Sequence, residues 1–443
     1  MVARLEGRGT LSETTSTTYE ETDFFLGRGL LVDPYPYYEY LREQGVLHRE
    51  PFHDVVMVTG YDEALEILND TERFSSCTSV TGPFPGFPVP VDGHDDISEL
   101  IAQHRDEIPF HDQLPALDPP KHTDHRSLLM RLITPKRLKE NEEFMWALAD
   151  RQLDTFLATG RCDYVNDYAT PFAMLVIADL LGVPVEDRPG FAEALLSGEH
   201  SGSLGSTDGE SLTLTPLQYL YNRFTDYIED RRANPRGDVL TGLASATFPD
   251  GSTPDVLDVV RVASNLFAAG QETTVRLLSS AVHLIAEDRD IQAQLRANRE
   301  LIPNFIEESL RTESPVKGDF RLSKVPVTIG GMDLPAGTTV MLVNAAINRD
   351  PRHFDDPAAF RIDRPNARTH VSFGRGIHTC PGAPLARAEA RVSLERLLDR
   401  TEDIRIDEDK HGPAGARKFR FVPTFILRGL THLHLELTPK AGA

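Results

Sequence analysis

The stretch from Thr253 to Asp288 reads TPDVLDVVRVASNLFAAGQETTVRLLSSAVHLIAED, and between Val262 and Ile285 the only charged residues are Glu272 and Arg276. A helix apolar on nearly every side has no solvent face, so it must run through the interior of a large protein. At 443 residues the chain is long enough to build such a core. Thr253 followed by Pro254 is a good N-cap and first-turn proline. Two residues in the run need explaining. Gly270 in mid-helix costs about 1 kcal/mol against alanine, and Glu272 brings a carboxylate inside. One reading is a kink beside a solvated or ion-paired acid. The other is that Ala269 and Gly270 thin the helix for a flat group, with Glu272 and Thr273 delivering protons to it.

Around this helix the pattern predicts a mainly α protein with small β-sheets. Helices are expected over DPYPYYEYLREQG and YDEALEILND and through much of Lys121–Leu181. Short strands are expected near Val55–Gly60, Val327–Ile329, Val340–Val343 and Thr431–Leu437. Ser75–Leu117 has no sustained period and reads as a lid or a disordered segment. Ser197–Ser211 is rich in Ser and Gly and reads as a mobile connection. Residues 1–23 read as a flexible arm and 24–443 as a single domain. Net charge is −22, which argues against nucleic acid as a partner. Cys77, Cys162 and Cys380 are far apart, odd in number and form no CxxC pair, which suits a cytoplasmic, reducing compartment. The N-terminal stretch is polar without an apolar core, so neither secretion nor a membrane anchor is expected.

One of those cysteines is set among residues chosen for backbone shape: HVSFGRGIHTCPGAPLARAEARV, His370–Val392. A zinc site is disfavoured, because only His370 and His378 lie nearby. A dinucleotide loop fails, because Thr379 stands where G-x-G-x-x-G needs its last glycine. An inert buried thiol is the remaining plain reading. Elsewhere His122 and Arg126 fall at i, i+4 and Glu308 and Arg311 at i, i+3, each pair on one helix face, and Arg321 follows in KGDFRLSK. Singly, each such Arg is ordinary surface charge.

Together these motifs resemble those of the soluble bacterial cytochromes P450, over nearly the whole chain from Asp33 onward. F-G-x-G-x-H-x-C-x-G is similar to Phe373, Gly374, Gly376, His378, Cys380 and Gly382; A-G-x-[DE]-T-[TS] to Ala269 through Thr274; E-x-x-R to Glu308 and Arg311; and H-x-x-x-R to His122 and Arg126. Four motifs in order and at the right spacings are specific where one cysteine loop would not be.

The resemblance implies a haem-thiolate monooxygenase, with haem b between the long central helix and the helix after the cysteine loop. Cys380 would be the axial iron ligand. Ala269, Gly270, Phe373, Gly374 and Gly382 would lie against the haem. His122, Arg126, Arg321 and His378 would pair with its propionates, with Asp319 assisting Arg321. Glu308, Arg311 and Arg364 would form a structural triad behind it, and Glu272 and Thr273 would handle protons. Pro381 lacks an N–H, so the sulfur either loses a donor, lowering the haem potential, or neighbouring amides compensate. Electrons would come from NAD(P)H through a ferredoxin reductase and a ferredoxin, the latter docking on Arg126, Arg131, Lys136, Arg137 and Lys139 unless these are merely solvated. One atom of O2 would enter a small hydrophobic substrate of terpenoid, steroid, fatty-acid or aromatic type, by hydroxylation or epoxidation, in a monomeric enzyme. A peroxide-driven peroxygenase and a non-catalytic haem protein are the alternatives. The substrate pocket is expected to draw on Ser75–Leu117, Phe191–Leu220, Asn265 and Ala268, Pro315–Asp319, and Phe425 and Ile426. Lys317 would either greet a substrate carboxylate there or reach solvent or an acid such as Asp319.

Overall fold

The apolar run forms a helix, Val256–Glu287, in a computed structural model that describes residues 19–196, 205 and 215–441. Its cap is Asp255, in extended backbone, so the helix starts two residues later than Thr253 suggests. Asp258 in the first turn puts negative charge at the positive end of the helix dipole. The helix is packed by Thr170–Leu181 and Thr215–Ala233 along one side and by Ala383–Arg400 along another. Phe267 sits 5.1 Å from Phe191 and 6.4 Å from Phe224, ring centre to ring centre. Each such fully buried ring contributes about 1.5–3 kcal/mol. No helix among the described residues is long and apolar enough to cross a membrane.

The sheets are small and sit at the edges of this helical body. The largest has the order Leu47–Arg49, Val56–Val58, Thr339–Leu342, Asp319–Ser323, Phe74–Ser75. Its register sets Asp319 opposite Leu342 and Arg321 opposite Val340. Strand alternation therefore turns Asp319 and Arg321 to one face and Phe320 and Leu322, both buried, to the other. A second sheet places His434–Pro439 between Arg161–Asp163 and Thr401–Ile406.

Two segments depart from expectation. Tyr19 packs against Tyr37 and Tyr40, with ring centres 5.7 and 5.6 Å apart, so packed structure begins ahead of the boundary at residue 24. Ser75–Leu117 contains a helix, Ser98–His104, and a small core of Cys77, Ile97, Ile101 and Ile108 against Leu322 and Ala336. A seven-residue helix is too short to show a period, which is why the segment reads as loop. Ser197–Ser211 lies outside the described residues apart from Gly205.

A buried ion network ties the helix Ile302–Thr312 to the irregular chain that precedes the cysteine loop. Glu308 accepts from Arg311 Nε at 2.7 Å and Nη2 at 2.8 Å, and from Arg364 Nε at 2.8 Å. Arg311 also donates to the carbonyls of Asn348, Pro357 and Ala359. Arg364 donates to those of Asp355, Asp356 and Ala359. The three side chains are at most 1% exposed, so removing the one anion strands two guanidinium groups in the interior. Glu308→Gln is expected to cost about 3–5 kcal/mol, the range for breaking a buried pair from one side. Denaturant unfolding checks this; a loss under about 1 kcal/mol would refute the structural role.

Candidate functional site

The cysteine loop is shaped by its glycines. Gly374 and Gly376 have φ of +65° and +68°, left-handed values that side chains resist. A Cβ on Gly376 would lie 2.5 Å from the carbonyl oxygen of Leu68. The loop closes when the Cys380 amide donates to the Phe373 carbonyl at 2.7 Å. Burial pushes the Cys380 thiol above its ordinary pKa, while the Gly382 amide, Arg126, the Ala383 amide and Arg387 pull it down. Helix Ala383–Arg400 begins at this point and adds its positive end. Pro381 gives no N–H, and the next two amides, of Gly382 and Ala383, point at the sulfur.

Above the thiol opens a cleft with about 1410 Å³ of empty space, its mouth included. Ala269, Gly270 and Thr273 of the central helix line one wall, and Phe373, Gly374, His378, Cys380 and Gly382 line the facing one. Arg126, Asp319 and Arg321 close one side. Leu266, Leu310, Leu114, Pro115 and Val316 keep the lining largely apolar, with Ser79, Asn265, Thr274, Asn344, Ser372 and Arg375 among its polar members. The long loop thus contributes Ser79, Leu114 and Pro115.

The charged side of the cleft carries more positive than negative charge, with Arg126 and Arg321 set against the carboxylate of Asp319. Arg126 Nη2 donates to the Thr379 carbonyl at 2.5 Å and Arg321 Nη1 to the Phe320 carbonyl at 2.6 Å. Among the described residues, neither pairs directly with a carboxylate. The rings of His122 and His378 are 4.2 Å apart. His122 Nε2 is buried with no hydrogen-bond partner. Burial, with Arg126 next, lowers the His122 pKa to about 4; burial, then Arg321 and His122, lowers that of His378 to about 2. Both rings are therefore neutral at pH 7. Ser76 Oγ lies 3.1 Å from His378 Nε2 and is placed by Asp118, which accepts the Ser76 amide at 2.8 Å. Buried cations and an orphaned imidazole nitrogen call for an anion. A flat group with two carboxylates, placed over a thiolate in an apolar cleft, satisfies all of them, so the donor set fits haem.

Several expected site residues stand elsewhere. Gly270 lines the cleft by its backbone, but a Cβ there would point at Ile177, 3.2 Å away, so the glycine also lets helix Thr170–Leu181 approach. Glu272 is ion-paired: Arg276 Nη2 reaches its Oε1 at 3.0 Å and Arg276 Nη1 donates to the Leu430 carbonyl. Thr273 faces the cleft and donates to the Ala269 carbonyl at 2.9 Å. Ala268 is exposed but outside the cleft lining.

Lys317 is neither in the cleft nor at the surface. Val316 bridges to Leu427 and lines the cleft, so its neighbour points the opposite way. Lys317 Nζ is buried, donates to the Thr424 carbonyl at 2.5 Å and has its pKa lowered to about 7 by burial. Phe425 packs on Phe25 at 5.1 Å, and Ile426 lies against Gly205. Neither belongs to the cleft lining. Of the expected basic patch, Arg126 is in the cleft and Arg137 is spent on the Leu180 carbonyl and Asp179; Arg131, Lys136 and Lys139 are exposed.

One bracing group gave no sequence signal. Glu307, next to Glu308, accepts from Arg387 Nε at 2.6 Å and meets His370 Nε2 at 3.0 Å. The Arg387 guanidinium lies 4.6 Å from the Phe373 ring centre, so this acid steadies the cysteine loop. Burial would raise the Glu307 pKa, but His370 and Arg387 hold it at about 2.

Comparison with known proteins agrees with this geometry. Residues 218–408 match the family model described as Cytochrome P450. Cytochrome P450 144 of Mycobacterium tuberculosis is 35% identical over 400 residues, 88% of this chain and 87% of that one. The cytochrome P450 monooxygenase PikC of Streptomyces venezuelae is 33% identical over 93% of this chain and 92% of its own length. The substrate-free structure of Mycobacterium marinum CYP150A6 superposes with a TM-score of 0.89 at 55% identity, covering 96% of this chain and all of that one. A thiol held by backbone amides under a cationic, apolar cleft, in a chain related end to end to these proteins, makes it a member of the cytochrome P450 family of monooxygenases.

Proposed function

We propose that the cleft binds haem b, which Cys380 would hold through its sulfur, and that the enzyme hydroxylates or epoxidises a small hydrophobic molecule. The observation that carries this is the unpartnered His122 Nε2 beside two unpaired guanidinium groups, over a thiol that receives two amides. Arg126, Arg321, His122 and His378 would hold the propionates, each supplying a donor that now lacks an anion. When bound, haem supplies two-electron activation of O2, with one atom entering substrate and the other leaving as water. Thr273 would hold a water by its hydroxyl oxygen while its hydrogen stays on the Ala269 carbonyl. Glu272 would carry protons inward only after leaving Arg276, so that ion pair gates the supply. The apolar lining suits a terpenoid, steroid, fatty-acid or aromatic substrate, with Asn265 and Ser79 as polar contacts. Exposed Arg131, Lys136 and Lys139 on a strongly acidic chain would dock an acidic ferredoxin, reduced by an NAD(P)H-dependent reductase.

Cys380→Ser is expected to lose the thiolate absorbance of the reduced carbon monoxide complex; its survival would overturn the ligand assignment. Thr273→Ala should keep haem and substrate binding but divert electrons from product to hydrogen peroxide. Glu272→Gln should slow turnover by about 100-fold, the lower end for a lost proton-transfer group. Assays with ferredoxin, reductase and NAD(P)H read both. Full coupling and speed in both variants would mean another proton route, and product formed only from added peroxide would make the enzyme a peroxygenase. Haem binding with neither activity would leave a ligand-binding protein.

A further inference from the structure

We propose that Asp163, His432 and His434 form a binding site for a divalent transition-metal ion of the zinc class, apart from the haem cleft. The sheet register brings them together. Asp163 on strand Arg161–Asp163 is the cross-strand partner of His434 on strand His434–Pro439. His432, two residues before the strand, lies 2.6 Å from Asp163 through its Nδ1, so both imidazoles sit on the Asp163 side. Leu433 and Leu435 between and beyond them are fully buried on the other. The two imidazole rings lie 5.7 Å apart and 3° from parallel.

One ligand atom from each of the three residues lies within 4.8 Å of the other two. Zinc bonds of about 2.0–2.2 Å set ligand atoms roughly 3.3 Å apart, so closure needs only small side-chain rotations. Two imidazoles and a carboxylate are a donor set that suits zinc, nickel or copper. His432 is half exposed, leaving a solvent side from which an ion enters and water completes the coordination.

The surroundings favour an added cation. Asp163 is fixed in place by its neighbours, accepting from Asn166 Nδ2 at 2.7 Å and from the Leu433 amide at 3.0 Å. Asp167 accepts the Asp163 amide and adds a second carboxylate nearby. Arg161, the cation on the same strand face, is taken up by Glu436 at 2.5 Å and Asp407 at 3.5 Å. His411 Nε2 receives the His434 amide at 2.9 Å, which fixes the backbone carrying that ligand. A bound ion would add a side-chain clamp between the C-terminal strand and Arg161–Asp163, which the backbone ladder, the Leu433 amide on Asp163 at 3.0 Å and the His432–Asp163 contact of 2.6 Å already join.

The test titrates Zn²⁺ into untagged, haem-loaded protein against a chromophoric competing chelator. One equivalent is expected to bind, and the melting temperature should rise with zinc. His432→Ala and His434→Gln should each weaken binding by at least about tenfold and abolish the thermal shift, with the haem absorbance unchanged. His104→Ala, which removes a surface imidazole paired with Glu107, should bind zinc as the parent does. No zinc bound by the parent at micromolar free metal would overturn the proposal. So would parent-like affinity in both site variants. If His432→Ala disturbs the haem spectrum, Asp163→Asn, which keeps the side-chain shape but removes the charge, decides on the same terms.

Discussion

Two consecutive acids on one buried helix hold the architecture of the site. Glu308 neutralises Arg311 and Arg364, whose remaining N–H groups are spread over five backbone carbonyls of the chain before the cysteine loop. Glu307 takes Arg387 and His370, and through Arg387 it meets Phe373 within the loop itself. The first pair fixes where the loop starts from, and the second fixes how the loop lies on the helix that follows it. Both cost desolvation, so their value lies in geometry more than in net stability. The irregular segment before the loop is thereby tied to the buried helix by side chains as well as by its own turns.

The cleft shows the opposite electrostatic economy. Where Glu308 is over-supplied with cations in a closed network, Arg126 and Arg321 have only backbone carbonyls. The adjacent neutral imidazoles of His122 and His378 record the same imbalance, since burial and then the nearby guanidinium groups drive their protons off. Such a wall is preorganised for carboxylates, and it is less stable without them.

Much of this was legible in the sequence because the chemistry is local. The cysteine loop, the central helix and the i, i+3 and i, i+4 pairs each lie within one element, where spacing fixes facing. The long-range partners were not. Nothing in the sequence links Glu307 with Arg387, eighty positions on, or Ser76 with His378. Lys317 was misjudged because strand parity decides its side, and a one-residue choice of register moves it out of the cleft. Glu272 was left between two readings, and its ion pair with Arg276, four residues on, is compatible with both. The start at Asp255 rather than Thr253 is the usual uncertainty of helix ends.

The raised pKa of the Cys380 thiol has a consequence for assembly. Protonated, the sulfur is a poor nucleophile and slow to oxidise. Were it to ligate a haem iron as proposed, coordination would expel that proton, making cofactor capture a proton-releasing event that strengthens as pH rises. The freshly folded chain would then carry its most reactive atom in a dormant form.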